Sequence, residues 1–284
     1  MSFKNFNVSK FIGVTAPASD FNKENFLKGI QYLKDNGYSP IFDKEILKDS
    51  SNYLKGDDNY RKKSFETLLN DERVNTIIMA RGGYGSIRTL NLLDKELLLK
   101  RKPLLVGFSD ITTFHIFMNN NNIPSLHAPM VNAFLRDIES TEKLFKVLKG
   151  DLDINYNLLA LNGTHSIEGE LIGGNLAVII SLIGTDYELK LNNKILFLED
   201  VNEPLYKIDR MLMQLILSKH KPKAIVLGQF LDCDKIEDIE RLFLDIFSDI
   251  PIYSRLDVGH NNKTQTLPLG VRYKIDKNRL FLLK

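Results

Sequence analysis

Pro103-Leu-Leu-Val-Gly-Phe-Ser-Asp-Ile-Thr-Thr113 is the stretch whose reading decides the fold. An apolar run stops at Gly107, and a helical pattern begins within three residues. A buried strand that ends in Gly-x-Ser and turns straight into a helix holds the Ser109 hydroxyl at a sharp corner. The free N–H groups of the helix start then lie beside it, where a developing negative charge needs them. A serine hydroxyl alone is a poor nucleophile, so the corner requires a base and an orienting acid. His260 and Glu199 supply those residue types downstream, each read as ending another strand. The pattern is that of a serine hydrolase.

Outward from this corner, the first half alternates strand and helix. Residues 10–16 read as a short buried strand, 22–36 as an amphipathic helix closed by Gly37, 39–42 as a second strand and 64–70 as helix. Residues 75–80 are β-branched enough for a central strand, followed by the loop Arg81-Gly-Gly-Tyr-Gly-Ser86 and a helix through Leu90 and Leu93. Strands separated by helices imply parallel pairing with right-handed crossovers. Between Lys149 and Glu168 the pattern dissolves into Asp, Asn, Gly and Thr, which reads as a linker. Beyond it, Gly173-Gly-Asn-Leu176 opens an apolar helix, 194–198 and 224–227 read as strands, and Pro204 stands at the first position of a helix striped by Leu205, Ile208, Leu212 and Leu215. An amphipathic helix follows over 236–247, and Leu256 to His260 leads into a loop. The expected fold is α/β: an N-terminal Rossmann-like parallel-sheet domain over 1–155 carrying the nucleophile, and a smaller C-terminal α/β domain over 156–284 carrying acid and base.

Composition removes several classes. The chain of 284 residues is 43% hydrophobic and 26% charged, as a soluble globular protein is, and its formal charge of +2 offers no basis for a nucleic-acid or anionic-membrane partner. Cys233 is the only cysteine, which excludes an intramolecular disulfide and a thiolate cluster. Residues 1–10 hold no apolar segment of signal-peptide length, and no run approaches a membrane span, so a cytoplasmic location is expected. No His-Glu-x-x-His or comparable spacing exists, and neither metal nor organic cofactor is expected.

Ser109, Glu199 and His260 follow the chain order nucleophile, acid, base, one of several orders that give the same geometry. Taken singly, each has a plain alternative: a helix cap, a surface carboxylate, a loop histidine. Gly-x-Ser-Asp also lacks the second glycine of Gly-x-Ser-x-Gly. Gly82, Gly83 and Gly85 let backbone approach a ligand, and one N–H of that loop with the Asp110 N–H forms a candidate oxyanion hole. A dinucleotide reading of the loop fails, because the third glycine is missing and Pro103 stands where an acid is wanted. His115 reads as a hydrogen-bonded core residue, His127 as a candidate for the cleft wall, and His165 and His220 as surface residues.

Six segments in order carry a resemblance: Arg81-Gly-Gly-Tyr-Gly-Ser86 with Arg88, Gly107-Phe-Ser-Asp-Ile-Thr112, Gly173-Gly-Asn-Leu176, Leu196-Phe-Leu-Glu-Asp200, Tyr206 with Asp209-Arg210, and Gly259-His260 before Thr266-Leu-Pro-Leu-Gly270. The chain resembles the LD-carboxypeptidase family of serine peptidases, which also includes the microcin C immunity peptidases. The match runs from Ile12-Gly-Val-Thr-Ala-Pro17 almost to the C-terminus. The resemblance implies a Ser109–Glu199–His260 triad, an oxyanion hole from the Gly82-Gly83 region and Asp110, and often a homodimer. It implies hydrolysis of the bond before a terminal D-amino acid in cytoplasmic muropeptides during cell-wall recycling. Glu203 is the rival for the acid. A terminal carboxylate needs a cation or N–H cluster, and Arg81, Arg88 and Asn175 are the candidates. The alternatives are an immunity-type peptidase acting on an aminoacyl-nucleotide, against which the absence of Trp weighs, and a peptide-binding protein without activity.

Overall fold

The structure, a computed structural model, describes residues 8–163, 165–218 and 221–283, so His220 lies outside the described residues. Five strands of the first half pair in parallel: β1 (Phe11–Thr15), β2 (Ser39–Ile41), β3 (Thr76–Met79), β4 (Leu104–Gly107) and β5 (Ser125–His127). Between them run α1 (Lys23–Asp35), α2 (Asp58–Asn70), α3 (Ser86–Leu92), α4 (Lys95–Arg101) and α5 (Thr112–Asn120), and α6 (Ile138–Leu148) follows. The strand order β2-β1-β3-β4-β5 reverses direction at β1, and ligands of such sheets gather beyond the carboxyl ends at that switch point. The Arg81–Ser86 loop leaves β3 there, and Ser109 leaves β4 beside it.

The second half adds β6 (Asn155–Asn157), β7 (Leu159–Ala160), β8 (Ile167–Asn175), α7 (Leu176–Leu182), β9 (Ile195–Val201), α8 (Leu205–Leu217), β10 (Ala224–Leu231), α9 (Ile236–Ile246) and β11 (Ile252–Ser254). Three short strands close the chain: β12 (Leu267–Leu269), β13 (Val271–Asp276) and β14 (Arg279–Leu282). The eight-stranded sheet has the order β6-β14-β13-β8-β9-β10-β11-β7, parallel from β8 to β11 and antiparallel at both flanks. The molecule is thus α/β with a parallel sheet and a second, mixed sheet.

β12 does not join its neighbours in sequence. It pairs antiparallel with β5, placing Leu267 opposite His127 and Leu269 opposite Ser125. This crossing carries the 255–266 segment, and with it His260, to the carboxyl edge of the first sheet. Buried Val106, Leu126, Phe197, Val258 and Leu269 belong to one continuous core between the sheets. Helices α2 to α5 cover the outer face of the first sheet, where fully buried Phe65 and Phe114 stack at 5.2 Å. Such a pair contributes roughly 0.5–1.5 kcal/mol beyond its buried area.

Several elements depart from the sequence reading. Residues 149–168 are not a plain linker: they contain β6 and β7 and the start of β8. Gly173, Gly174 and Asn175 end the nine-residue strand β8 rather than opening the helix. Glycine lowers strand propensity, but here it is required by contact: a Cβ on Gly173 would lie 1.9 Å from the Phe197 carbonyl oxygen. Helix α2 starts at Asp58, capped by the Asp57 carboxylate accepting from the Tyr60 N–H. Glu199 lies within β9 rather than past it, and His260 lies six residues beyond β11, in a loop.

Candidate active site

Ser109 occupies the corner with a left-handed backbone, φ 64°. For a residue with a Cβ that conformation costs on the order of 1–2 kcal/mol, and surrounding structure must impose it. A 3-10 turn over Ser109–Ile111 leads directly into α5, and its Ile111 N–H donates to the Phe108 carbonyl at 3.3 Å. The glycine loop lies against it: a Cβ on Gly82 would sit 3.1 Å from the Ser109 Cβ and 3.4 Å from the Asp110 nitrogen. Two ties hold that loop. The Asp110 carboxylate accepts from the Ser86 N–H at 2.7 Å, and the Ser19 hydroxyl accepts from the Tyr84 N–H at 3.0 Å. Gly83 has φ 99° and no room for a side chain, since a Cβ would meet the Ser19 hydroxyl oxygen at 2.3 Å. Burial raises the Asp110 carboxyl above its ordinary value, while the Ser86 and Gly85 N–H groups act in the opposite sense.

Glu199 and His260 come together directly. His260 Nδ1 lies 2.6 Å from Glu199 Oε2, and Glu199 is 0% exposed. Burial alone would raise the Glu199 carboxyl, but the charge and hydrogen bond of His260, with His127 3.8 Å away, bring it down to about 2. An ionised carboxylate only accepts, so the proton on that bond belongs to His260 Nδ1, which leaves Nε2 of the neutral ring as the acceptor. For His260, burial disfavours the cation, yet the adjacent Glu199 charge and hydrogen bond outweigh it and raise the value. The Phe108 ring, one residue before Ser109, packs edge-on to the imidazole at 4.9 Å.

The His260 loop is held by β10, which has a register shift between Leu227 and Phe230. A bulge of this kind ends regular pairing and frees backbone for other partners. The Leu256 N–H donates to the Leu227 carbonyl at 3.1 Å, the Gln229 N–H to the Val258 carbonyl at 2.8 Å and the Asn261 N–H to Gln229 Oε1 at 2.9 Å. Gly228 permits this approach, because a Cβ there would lie 2.4 Å from the Val258 carbonyl oxygen and 3.2 Å from the Glu199 Cβ.

The remaining candidates fall in different places. Arg88 makes a bidentate pair with Asp58, at 2.9 and 2.5 Å. Arg81 donates to the Asp20 carbonyl at 2.5 Å. Asn175 caps α7 through Oδ1 and donates from Nδ2 to Asp200 at 2.9 Å. Burial raises the Asp200 carboxyl to about 6, against the bonds it accepts from the Val201 N–H, Asn175 and the Ala177 N–H. Glu203 pairs with Lys207 at 3.3 Å, and the α8 amino end is met instead by Asp234, which accepts from the Leu205 N–H at 2.6 Å. His115 is a core residue: Nε2 donates to the Gly107 carbonyl at 2.9 Å, Nδ1 lies 2.9 Å from the Ser125 hydroxyl, and burial lowers it to about 3. His165 is exposed. Cys233 is half-buried, and burial pushes its thiol up to about 11.

Three features escaped the sequence reading. His127 is not on an open wall; it is 1% exposed, with Nε2 3.8 Å from Glu199 Oε1. Gly228 lies beside the acid, and Arg136 shares a pocket with Phe108, Pro129, His260 and Asn261. Only the position of His127 at the end of an apolar segment was available as a signal. Among the described residues, no three His, Cys, Asp or Glu side chains group as metal ligands.

A strand-to-helix serine and a buried carboxylate–imidazole pair are residue types a hydrolase uses, and the family that the chain matches makes it a peptidase hydrolase. The chain belongs to the LD-carboxypeptidase family: the model of the family's N-terminal domain matches residues 12–128, and that of its C-terminal domain matches 168–275. The murein tetrapeptide carboxypeptidase of Pseudomonas aeruginosa is 29% identical, covering 80% of this chain and 81% of that protein. The microcin C7 self-immunity protein of Escherichia coli is 27% identical, covering 94% and 89%. Among solved structures, the muramoyltetrapeptide carboxypeptidase of Oxalobacter formigenes superposes with a TM-score of 0.84 at 26% identity, covering 95% and 97%.

Proposed function

We propose that the protein is a serine-type carboxypeptidase that hydrolyses the L,D bond before a terminal D-amino acid of muropeptides. The observation that carries the reading is the 2.6 Å bond between His260 Nδ1 and the fully buried Glu199, with the imidazole packed against Phe108, the residue before Ser109. His260 Nε2 takes the Ser109 proton as the hydroxyl oxygen attacks the scissile carbonyl carbon. The N–H groups of Gly83 and Asp110 receive the oxyanion. Collapse breaks the C–N bond, and His260 gives its proton to the leaving amine. Water, deprotonated by the same imidazole, then releases the acyl group from Ser109. Glu199 keeps the ring in the required tautomer and stabilises its cation. In this scheme residues 1–155 supply nucleophile and oxyanion donors, and 156–284 supply acid and base.

Muropeptide recycling places the substrate in the cytoplasm, and no described helix is long and apolar enough to cross a membrane. A homodimer is supported by Tyr206, Met213 and Leu217, exposed at helical spacing along α8. The decisive assay is D-alanine release from an L,D tetrapeptide stem, compared with Ser109→Ala. Absence of release by the unmutated protein refutes the reading. A second reading, cleavage of an aminoacyl-nucleotide, draws on one observation. Tyr53 and Tyr84, 60% and 50% exposed, lie with ring centroids 6.2 Å apart beside the glycine loop and suit base stacking. Turnover of an aminoacyl sulfamoyl nucleoside exceeding that of the tetrapeptide selects it.

A further inference from the structure

A peptidase that removes one terminal residue must recognise the free carboxylate of that residue, and carboxylates are bound by cations with N–H donors. Most of the cations near the Ser109 corner have partners. Arg88 is bidentate to Asp58, buried Lys55 contacts Asp20 and the Lys48 carbonyl, and Arg81 reaches the Asp20 carbonyl. Arg136 differs: its guanidinium has no hydrogen-bond or ion-pair partner among the described residues.

Arg136 also borders a pocket on His260, the group that protonates the leaving amine in this scheme. His260 delivers a proton to the leaving amine, so the departing amino acid occupies the space bordered by His260 on the side away from the acyl group. The pocket there is bounded by His260, Asn261, Phe108, Pro129, Ala133 and Arg136. Phe108 and Pro129 give it an apolar wall suited to a small side chain. Arg136 is anchored at its base, since its N–H donates to the Ala133 carbonyl at 3.0 Å and neighbouring Phe134 is fully buried. Asp137 also borders the pocket, and its carboxylate accepts from the Ser140 and Lys263 N–H groups.

Resting on the carboxypeptidase reading above, we infer that Arg136 binds the terminal carboxylate of the substrate and thereby restricts the enzyme to free C-termini. Arg136 becomes a specificity-determining residue, with the carboxylate held beyond His260 and the terminal side chain against Phe108 and Pro129. A planar fork suits a carboxylate better than an ammonium does, so lysine should restore only part of the function.

The test compares unmutated protein, Arg136→Gln, Arg136→Lys and Lys263→Gln on an L,D tetrapeptide and on the same peptide with a C-terminal amide. Lys263 is a nearby cation outside the pocket and controls for net charge. For Arg136→Gln, kcat/KM on the free acid is expected to fall about 10²-fold, mainly through KM, while the slow rate on the amide stays the same. Arg136→Lys should recover part of that loss. Groups acting on His260 include Glu199, Asp200 and Arg136, and the Arg136 charge works against protonation. Its removal should therefore move the acid limb of the rate profile to higher pH, which a merely structural role would not do. Equal losses on acid and amide, or a matching loss in Lys263→Gln, overturn the assignment. Full activity of Arg136→Gln on the free acid overturns Arg136 alone, whereas an unmutated protein inactive on both peptides overturns the carboxypeptidase reading and this assignment with it.

Discussion

Replacing Glu199 by Gln tests the geometry at its most demanding point. The substitution keeps shape and burial, and changes one oxygen facing His260 Nδ1, 2.6 Å away, into an amide. If the amide oxygen faces Nδ1, the ring keeps its tautomer but its cation loses the adjacent negative charge. If the amide nitrogen faces it, Nδ1 must accept, the proton moves to Nε2, and the imidazole no longer accepts from Ser109. Both outcomes act on the transition state. The corresponding acid-to-amide change in the serine-protease triad lowers kcat about 10⁴-fold, or about 5.4 kcal/mol of activation free energy. The same order is expected here, because Glu199 is fully buried and held ionised. KM should change little, since Glu199 has no exposed surface for substrate. Steady-state D-alanine release reads kcat and KM, and a melting curve establishes that the variant is folded. Glu203→Gln is the control, as its carboxylate pairs with Lys207. A loss below tenfold in folded Glu199→Gln, or a larger kcat loss in Glu203→Gln, would falsify the acid assignment.

Further outcomes follow from the same geometry. Ser109→Ala should lower turnover by roughly 10⁴-fold or more with an unchanged melting temperature, whereas Ser109→Gly should be equally inactive yet more stable by up to about 1 kcal/mol, because glycine tolerates the left-handed backbone; comparable activity in either variant removes Ser109 from the mechanism. In the pH–rate profile, activity needs neutral His260, whose folded value is raised above 6.5. The rate should rise with pH through a midpoint above 6.5, and a midpoint below it contradicts the Glu199 coupling. Stability runs the other way for this group: its contribution is full below the unfolded value and is lost as pH rises through the folded one. Glu199, depressed to about 2, contributes above its unfolded value and loses that contribution only as pH falls toward about 2. Gly228→Ala should lower both melting temperature and kcat, since its Cβ would meet the Val258 carbonyl oxygen at 2.4 Å and must displace the segment leading to His260; a variant unchanged in both measurements would show that the loop tolerates the shift.

The amino-acid sequence by itself determined the α/β class and most helices and strands of the parallel cores, but not the short strands β5 and β11 or helix α6. Local physics suffices there: β3, β4, β9 and the start of β10 are apolar runs buried on both faces, and α1 and α8 carry apolar stripes at helical spacing. The Ser109 corner was legible for the same reason, since an apolar strand ending in Gly-x-Ser and a following helix are adjacent in the chain. The strand β8 was not legible, because its Glu and Gly residues oppose strand propensity; Gly173 and Gly174 are required by Phe197 and Thr112, and Glu168 and Glu170 pair with Arg272 and Lys194, all distant in the chain. Nor could the sequence place His260, which follows no strand and owes its position to β12 crossing to the first sheet and to hydrogen bonds from the bulged end of β10. The second histidine beside Glu199 and the unpaired guanidinium of Arg136 likewise emerged only in three dimensions. Hydrophobic periodicity reports which face of an element is buried, whereas meeting points between distant segments depend on register, bulges and glycine clearances that no local pattern encodes.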